Sequence, residues 1–473
     1  MANLPKMPSF YPFQREGIDL LHAKDGCALL ADQMGMGKSC QAYGYAVESG
    51  LSPVIVTCPT SLCLHWQREY RVHFGLPSLI LQSQSPRLYF NRKRLSIKRV
   101  VERGGVFIVG YDVLKDWLSF FLWMKPRLVI GDEIHQIGNL NSLRSKAFRR
   151  LCQDVDHVIA ISGTPFTNRP WELYPILHTL DPDTFDSPFA FGHRFCQAEM
   201  RYGEWRFSGA KNLKALHKLL KDTVLIRRLK KDVLPQLPAS RRFIVPLEIK
   251  DREQYEKAES DLFGWLSEHY GLDRAYRATG NERYTRFTYL KQLAAFLKVK
   301  YVNEWLDVWL ENNPTGKLFV GVHHYNITDL LMQNRQSYSL LINGKVPQKE
   351  RMRIQDRFRQ DPRVRILFGQ IRCCGVGLNL PEANAAALVE LPWTPGACEQ
   401  FIARIERITT KHETEAYYLV AHDTIEETLC EILQRKKKHQ DLTFDGVDTR
   451  EDTFKIFDEL QREMTRERKE CTT

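Results

Sequence analysis

The stretch Cys27-Ala28-Leu29-Leu30-Ala31, followed at once by Asp32-Gln33-Met34-Gly35-Met36-Gly37-Lys38-Ser39, decides the fold. A short apolar run that ends in a glycine turn reads as a buried strand, and the residues beyond it take up helical spacing. Strand, glycine turn and helix start together make a phosphate cradle. The glycines let backbone N–H groups approach the oxygens, the helix N-terminus favours an anion, and a lysine adds a point charge. On this reading Gly35, Met36, Gly37 and Lys38 take nucleotide phosphates, with Lys38 reaching the β and γ groups and Ser39 helping to hold Mg²⁺. The strict G-x-x-x-x-G-K-[ST] pattern fails at Asp32, which stands where its first glycine would be.

A nucleotide site needs a second half, and Arg127-Leu128-Val129-Ile130-Gly131-Asp132-Glu133-Ile134-His135 supplies one: an apolar strand ending in adjacent carboxylates. Asp132, at the strand end, suits Mg²⁺ held through water, and Glu133 suits a general base that polarises the attacking water. Ser162-Gly163-Thr164-Pro165 closes another apolar strand. It is either a plain turn or a hydroxyl sensor of the γ phosphate. In Gln400-Phe401-Ile402-Ala403-Arg404-Ile405-Glu406-Arg407 two arginines lie three apart, on one face of a helix. Arg404 and Arg407 read either as a solvated basic face or as arginine fingers for a transferring phosphoryl group.

Outward from these stretches, apolar β-branched runs at 27–31, 53–58, 105–110, 127–132 and 157–162 alternate with helical segments, the pattern of βαβ units on a parallel sheet. The pattern then turns to long charged stretches such as NLKALHKLLKDTVLIRRLKKDVL (212–234), suited to amphipathic helices. Strand signals return at 317–324, 337–344, 364–370, 385–393 and 415–422. The class is α/β, with an expected first lobe over 1–182, a helical insertion over 183–298, a second lobe over 299–440 and a charged tail over 441–473. In the tail Phe454, Phe457, Leu460 and Met464 keep helical spacing, so it either docks one more helix or frays.

Composition agrees with a folded chain of two or three domains: 473 residues, 43% hydrophobic, with 27 Gly, 22 Pro and no biased tract. The 11 cysteines are an odd number with no C-x-x-C pair, which gives neither a disulfide framework nor a zinc site and suits a reducing compartment. The N-terminus carries Pro and charge in place of an apolar core, so secretion and membrane spanning are disfavoured. A net charge of +11 favours a polyanionic partner.

These motifs, in this order, resemble the superfamily-two helicase motors of the Swi/Snf-type DNA translocase family. DQMGMGKS resembles motif I, VTCPTSLCLHWQRE (56–69) motif Ia, GDEIH (131–135) the DEAH-box motif II and SGTPFTN (162–168) motif III. LFVGVHH (318–324) resembles motif IV, GVGLNL (375–380) motif V and EQFIARIERI (399–408) motif VI. Ile226-Arg227-Arg228-Leu229-Lys230-Lys231-Asp232-Val233-Leu234, then Gln236-Leu237-Pro238, resembles the family's LRR-x-K-x-(D/E)-V-L-x-x-LP block, which ordinary RNA helicases lack. With FGHRFC (191–196), WRFSGAKNL (205–213) and WTPG (393–396), the likeness points to the annealing-helicase branch.

The resemblance implies two RecA-like P-loop lobes, one ATPase using ATP and Mg²⁺ in the cleft, and movement along double-stranded or branched DNA. It gives Gln14 the adenine edge and places Gly377 at the nucleotide. Pro59, Thr60, Tyr111, Thr164, His323, Asn343, Gly344 and Asn379 are its expected DNA track. His323 and His324 suit strand-end packing equally well. Basic stretches at Arg92-Lys93-Arg94, Lys98-Arg99, Arg227-Arg228, Lys230-Lys231 and Arg435 to Lys438 are candidates to track phosphates, most of them being solvated faces. Motif VI departs from the family, with Glu406 for a His and Thr409-Thr410 for Gly-Gln. Residues 1–10 leave no room for an accessory module, so a bare, monomeric motor is expected, with targeting supplied by a protein partner and no membrane contact. A cytoplasmic setting in a prokaryote or phage-infected cell is favoured, nuclear if the source is eukaryotic. The rival readings are a hydrolysis-weak ATP-dependent DNA clamp within a larger assembly and an RNA-stimulated DEAH-type helicase.

Overall fold

The computed structural model describes residues 9–75, 77–82, 105–238, 240–262, 282–374 and 378–447, with Ile97 and Glu102. The chain forms two compact units, Met1–Gln236 with Lys438–Thr449, and Leu237–Lys437 with Arg450–Thr473.

The first unit is built on a seven-stranded sheet. Its strands are β1 (Cys27–Leu30), β2 (Val54–Cys58), β3 (Ser78–Leu81), β4 (Val106–Gly110), β5 (Leu128–Asp132) and β6 (His157–Ile161), with a short later strand, Leu225–Ile226, beside β1. The order is β3, β4, β2, β5, β6, β1 and then the short strand, all parallel. Leu29, Ile55, Phe107, Val129 and Ala160 share one core, which is why these strands read as unbroken apolar runs: both faces are covered. Helices α1 (Pro12–Ala23), α2 (Lys38–Glu48) and α3 (Cys63–Phe74) carry the site-bearing segments. An antiparallel hairpin, β7 (Gln197–Arg201) with β8 (Glu204–Ser208), stands apart from the main sheet. The short strand Leu225–Ile226 is β9.

The second unit holds a six-stranded sheet of β10 (Ser240–Leu247), β11 (Leu318–Val322), β12 (Ser339–Ile342), β13 (Ile366–Gln370), β14 (Ala385–Leu388) and β15 (Thr414–Ala421). The order is β10, β15, β14, β11, β13, β12, again all parallel.

The division between the two units falls after Gln236, inside the stretch 183–298 expected as a helical insertion. Residues up to 236 give β9 to the first sheet, while β10 pairs with β15 from Ser240↔Thr414 to Leu247↔Ala421. The charged flanks hid these strands: their character comes from pairing along a sheet edge rather than from a long apolar run. The tail boundary at 441 falls inside the helix Ile425–Phe444, and Phe454, Phe457, Leu460 and Met464 lie outside the described residues. No described helix is long and apolar enough to cross a membrane.

Candidate active site

In a parallel sheet the carboxyl ends of neighbouring strands make the ligand-facing edge. The order β2, β5, β6, β1, β9 lines up five such ends. They lead into Pro59-Thr60, Asp132-Glu133, Ser162 to Thr164, the loop 32–39 and Arg227-Arg228.

The loop is shaped for an anion. Gly35 and Gly37 sit at φ +86° and +67°, in the left-handed region that side chains disfavour, and α2 opens at Lys38 with no side-chain cap on its first amides. A Cβ on Gly37 would fall 2.4 Å from Gln14 Nε2, so Gln14 lies directly on the loop. The other end of that amide is engaged, Oε1 accepting from Tyr11 N at 3.1 Å. Lys38 Nζ donates back to Asp32 O at 2.7 Å and Gln33 O at 3.3 Å. Burial pushes its ammonium down to about 8 against the pull of Asp32, Glu133 and Asp132. Met36 is a core residue whose carbonyl accepts from Gln41 Nε2 at 3.2 Å. Ser39 is half-buried in the first turn of α2.

Asp32, the departure in the loop pattern, is explained by a residue far along the chain. Its Oδ1 accepts from Arg228 N at 3.0 Å and Nε at 3.2 Å, and its Oδ2 from Arg228 Nη2 at 2.5 Å and Gln41 Nε2 at 3.2 Å. Arg228 also donates to Phe13 O at the start of α1. Arg227 forks onto Asp445 at 2.7 and 3.2 Å and reaches Ala31 O at 2.7 Å and Gly163 O at 3.4 Å. The expectation that Arg227-Arg228 tracks phosphates is therefore corrected: both guanidinium groups are turned inward. Planar forks match carboxylates in a way that solvated lysines do not.

At the end of β5, Asp132 Oδ2 accepts from Trp66 Nε1 at 2.6 Å and Oδ1 from the Glu133 amide at 2.9 Å. Burial, then the neighbouring Glu133, pushes the Asp132 carboxyl up to about 6. Glu133 sits at φ +47°, a strained setting for a residue with a side chain. Its Oε2 lies 3.4 Å from His135 Nδ1, which is itself 3.5 Å from Ser162 Oγ. Burial pushes His135 down to about 4, so it is neutral at physiological pH. Ser162 Oγ accepts from Thr164 N at 3.1 Å, which joins the Ser162–Thr164 turn to the carboxylate pair.

In the second unit, Arg404 and Arg407 are not on a helical face. The helix Pro395–Ile402 has ended, and both side chains turn onto Leu378 O, at 3.3 and 2.9 Å. Thr410 closes this turn, its Oγ1 accepting from Arg407 N at 3.0 Å and donating to Ile405 O at 2.7 Å. Glu406 meets Arg242 Nη2 at 3.2 Å, so the substituted position has a partner in β10. Gly377 lies outside the described residues.

Of the residues expected to line a nucleic-acid track, Thr60 and Asn379 are exposed and Pro59 and Thr164 half-buried. Gly344 is exposed, with its amide donating to Gln370 Oε1 at 3.2 Å, and Asn343 Oδ1 accepts from Lys345 N at 3.0 Å. Tyr111 is corrected: its ring is buried and its hydroxyl donates to Asp132 O at 2.8 Å, so it supports β5. His323 offers no charge, since burial first and Lys291 next push it down to about 4. The amides of His323 and His324 donate to Glu390 Oε2 at 2.7 and 2.9 Å, which favours the strand-end reading of this pair. Lys436 Nζ is turned onto Trp393 O at 2.9 Å. Arg92-Lys93-Arg94 and Lys98-Arg99 lie outside the described residues.

Two family models match successive parts of the chain. The SNF2-related domain family matches residues 13–289, and the helicase conserved C-terminal domain family matches 298–409. This chain belongs to the SNF2-related family. Among its relatives, the DNA annealing helicase and endonuclease ZRANB3 of Bos taurus is 29% identical over 92% of this chain and 40% of its own length. Its Mus musculus counterpart is 30% identical over 92% and 41%. The SWI/SNF-related matrix-associated actin-dependent regulator of chromatin subfamily A-like protein 1 of Xenopus laevis is 28% identical over 90% and 43%. The chain thus spans about two-fifths of the length of these relatives. The solved Sulfolobus solfataricus SWI2/SNF2 ATPase core in complex with dsDNA is similar over 94% of both chains, at 21% identity and a TM-score of 0.42.

Within this SNF2-related chain, the sequence reading named Lys38, Asp132 and Glu133 but missed Trp66 on Asp132, His135 beside Glu133 and Arg228 on Asp32. Trp66 and His135 stood inside quoted motifs without a role, and Arg228 stood among candidate phosphate-tracking stretches, most of them read as solvated faces. A buried donor opposite an acceptor-only carboxylate was the missing signal, and it appears only once the strands are ordered.

Proposed function

We propose that this chain is an ATP-dependent double-stranded DNA translocase that remodels protein–DNA complexes or branched DNA. The observation that carries the reading is the alignment of Lys38, the Asp132-Glu133 pair and the Ser162–Thr164 turn on adjoining strand ends in a SNF2-related chain. Lys38 and the uncapped start of α2 bind the phosphates of ATP, and Gln14 lies at the loop to read the adenine edge. Ser39 and Asp132 are the residues that would hold Mg²⁺, which supplies positive charge against the phosphate oxygens when bound. Glu133, close to a neutral imidazole, takes the proton of the attacking water. Arg404 and Arg407 neutralise charge developing on the phosphoryl group. Pro59, Thr60, Thr164, Asn343, Gly344 and Asn379 follow the sugar-phosphate backbone, a contact without base preference.

The name of the ZRANB3 relatives, DNA annealing helicase and endonuclease, supports an annealing activity on DNA. The net charge of +11 suits a nucleic-acid partner. A monomeric motor that a protein partner directs to its DNA completes the reading. The relatives described above are animal proteins, which does not support the expected prokaryotic or phage source and leaves a nuclear setting as the one in keeping with them.

Steady-state ATPase with no nucleic acid, single-stranded DNA, duplex DNA, forked DNA and RNA, with Lys38→Ala as the blank, tests this. Strong stimulation by duplex or forked DNA is expected. Stimulation by RNA alone would point to the DEAH-type helicase, and tight DNA binding without stimulation to the clamp.

A further inference from the structure

We propose that Trp66 is a positioning residue through which DNA contact at Pro59 to Leu62 reaches the Asp132 carboxylate. The inference rests on the proposed reading of Asp132 as the carboxylate that would hold Mg²⁺. Trp66 is fully buried, and its single donor, Nε1–H, meets Asp132 Oδ2 at 2.6 Å. The other carboxylate oxygen takes the Glu133 amide at 2.9 Å. The indole therefore decides how this carboxylate is turned, and no other side-chain donor to it is seen among the described residues.

Two further contacts make the indole a junction. Tyr43, on the helix that opens at Lys38, packs edge-on against it at 4.8 Å between centroids and donates from its hydroxyl to Trp66 O at 3.2 Å. On the other side, α3 runs directly on from the turn Thr60–Leu62, so Trp66 lies one helical turn beyond the exposed Thr60 segment. A helix moves as a rigid body, and displacement of that turn by a DNA backbone shifts the indole and with it Asp132. Coupling of this kind is reciprocal: nucleotide bound at Asp132 must change DNA affinity by the same factor. The Trp66 hydrogen bond thus links the DNA-contacting segment to the carboxylate without touching either ligand.

The test uses the full chain and Trp66→Phe, which keeps an aromatic ring but removes the donor. Duplex DNA affinity is measured by fluorescence anisotropy with and without ADP and Mg²⁺, alongside stimulation of ATPase by the same duplex. Both the nucleotide-dependent change in DNA affinity and the stimulation factor are expected to shrink at least fivefold. Retention of both within twofold, in a variant that melts like the unmodified chain, overturns the proposal. Hydrogen exchange of the unmodified chain with duplex DNA and no nucleotide is independent of whether the variant folds. Slower exchange in residues 128–135 as well as 59–66 is expected, and a response confined to 59–66 overturns the coupling. Absence of DNA stimulation in the unmodified chain would overturn the translocase reading itself. Stimulation that Trp66→Phe keeps overturns only this inference.

Discussion

Arg228–Asp32 in the first unit and Lys298–Glu426 in the second are buried ion pairs built differently. In the first, Asp32 is fully buried and takes four hydrogen bonds, three of them from Arg228 and one from Gln41. In the second, Lys298 and Glu426 are both fully buried: Nζ donates to Glu426 Oε2 at 2.6 Å and Leu419 O at 2.6 Å, and Ala421 N donates to the same carboxylate oxygen at 2.8 Å. A rigid fork holds the loop proposed to take phosphates. A point charge pins a strand end to the first turn of the helix Ile425–Phe444, where an acidic residue also suits the helix N-terminus. The same kind of interaction therefore serves site geometry in one unit and the stability of the fold in the other.

Arg228→Met should break the comparison most severely. Asp32 would be left buried without the guanidinium, keeping only the residue 228 amide and Gln41, at a cost of about 3–5 kcal/mol. Because that cost falls on the loop, affinity for a fluorescent ATP analogue should drop by about 100-fold or more, the equivalent of roughly 2.7 kcal/mol of the loss. A nucleotide titration alongside urea denaturation would check both, and unchanged nucleotide affinity would show that the loop holds its shape without the fork. Lys298→Met should cost a similar 3–5 kcal/mol in urea denaturation, yet leave nucleotide affinity within about twofold. Adding Glu426→Leu should recover much of that loss, since an apolar pair avoids the burial of a lone charge. Failure of the double variant to recover would mean that the contacts to Leu419 O and Ala421 N matter more than the ion pair.

Glu390 sharpens the contrast, as a buried carboxylate held by the His324 ring and by two amides. Burial acts to raise its carboxyl, but the His324 hydrogen bond and charge and the amides of His324 and His323 outweigh it, bringing the group from 4.5 to about 2. A depressed value means that the stabilisation is complete above 4.5 and is lost as the pH falls towards 2. Glu390→Gln should flatten the stability of the second unit over that window and cost about 1–3 kcal/mol at neutral pH, read from melts across pH. The smallest effect should come from Tyr111→Phe. Asp132 O loses one neutral hydrogen bond, for about 0.5–1.5 kcal/mol, without the drop in DNA affinity expected of a true track residue. A large loss of DNA binding would restore Tyr111 to the track.

The parts legible in the sequence were those encoded within one local stretch. Strands buried on both faces must read as continuous apolar runs, so β1, β2, β4, β5 and β6 were visible at 27–31, 53–58, 105–110, 127–132 and 157–162. The loop with Gly35, Gly37 and Lys38 and the Asp132-Glu133 pair were visible because phosphate and metal chemistry dictate residue types at short spacing. β9 and β10 were hidden, since a few apolar positions next to arginines show no period. The helical face for Arg404 and Arg407 was wrong because spacing of three is shared by a helix and by a turn closed through Thr410.

The sequence by itself thus determined the class of fold, the order of the motifs and the glycine-lysine loop after β1, because those follow from periodicity and from the chemistry of neighbouring side chains. Only the tertiary structure decided which strand ends lie side by side, that Arg228 faces Asp32 and not solvent, and that Trp66 holds Asp132. These pairings join residues as far apart as 32 and 228. A buried donor and its acceptor find each other through sheet order and burial, and neither is written in the residues next to them.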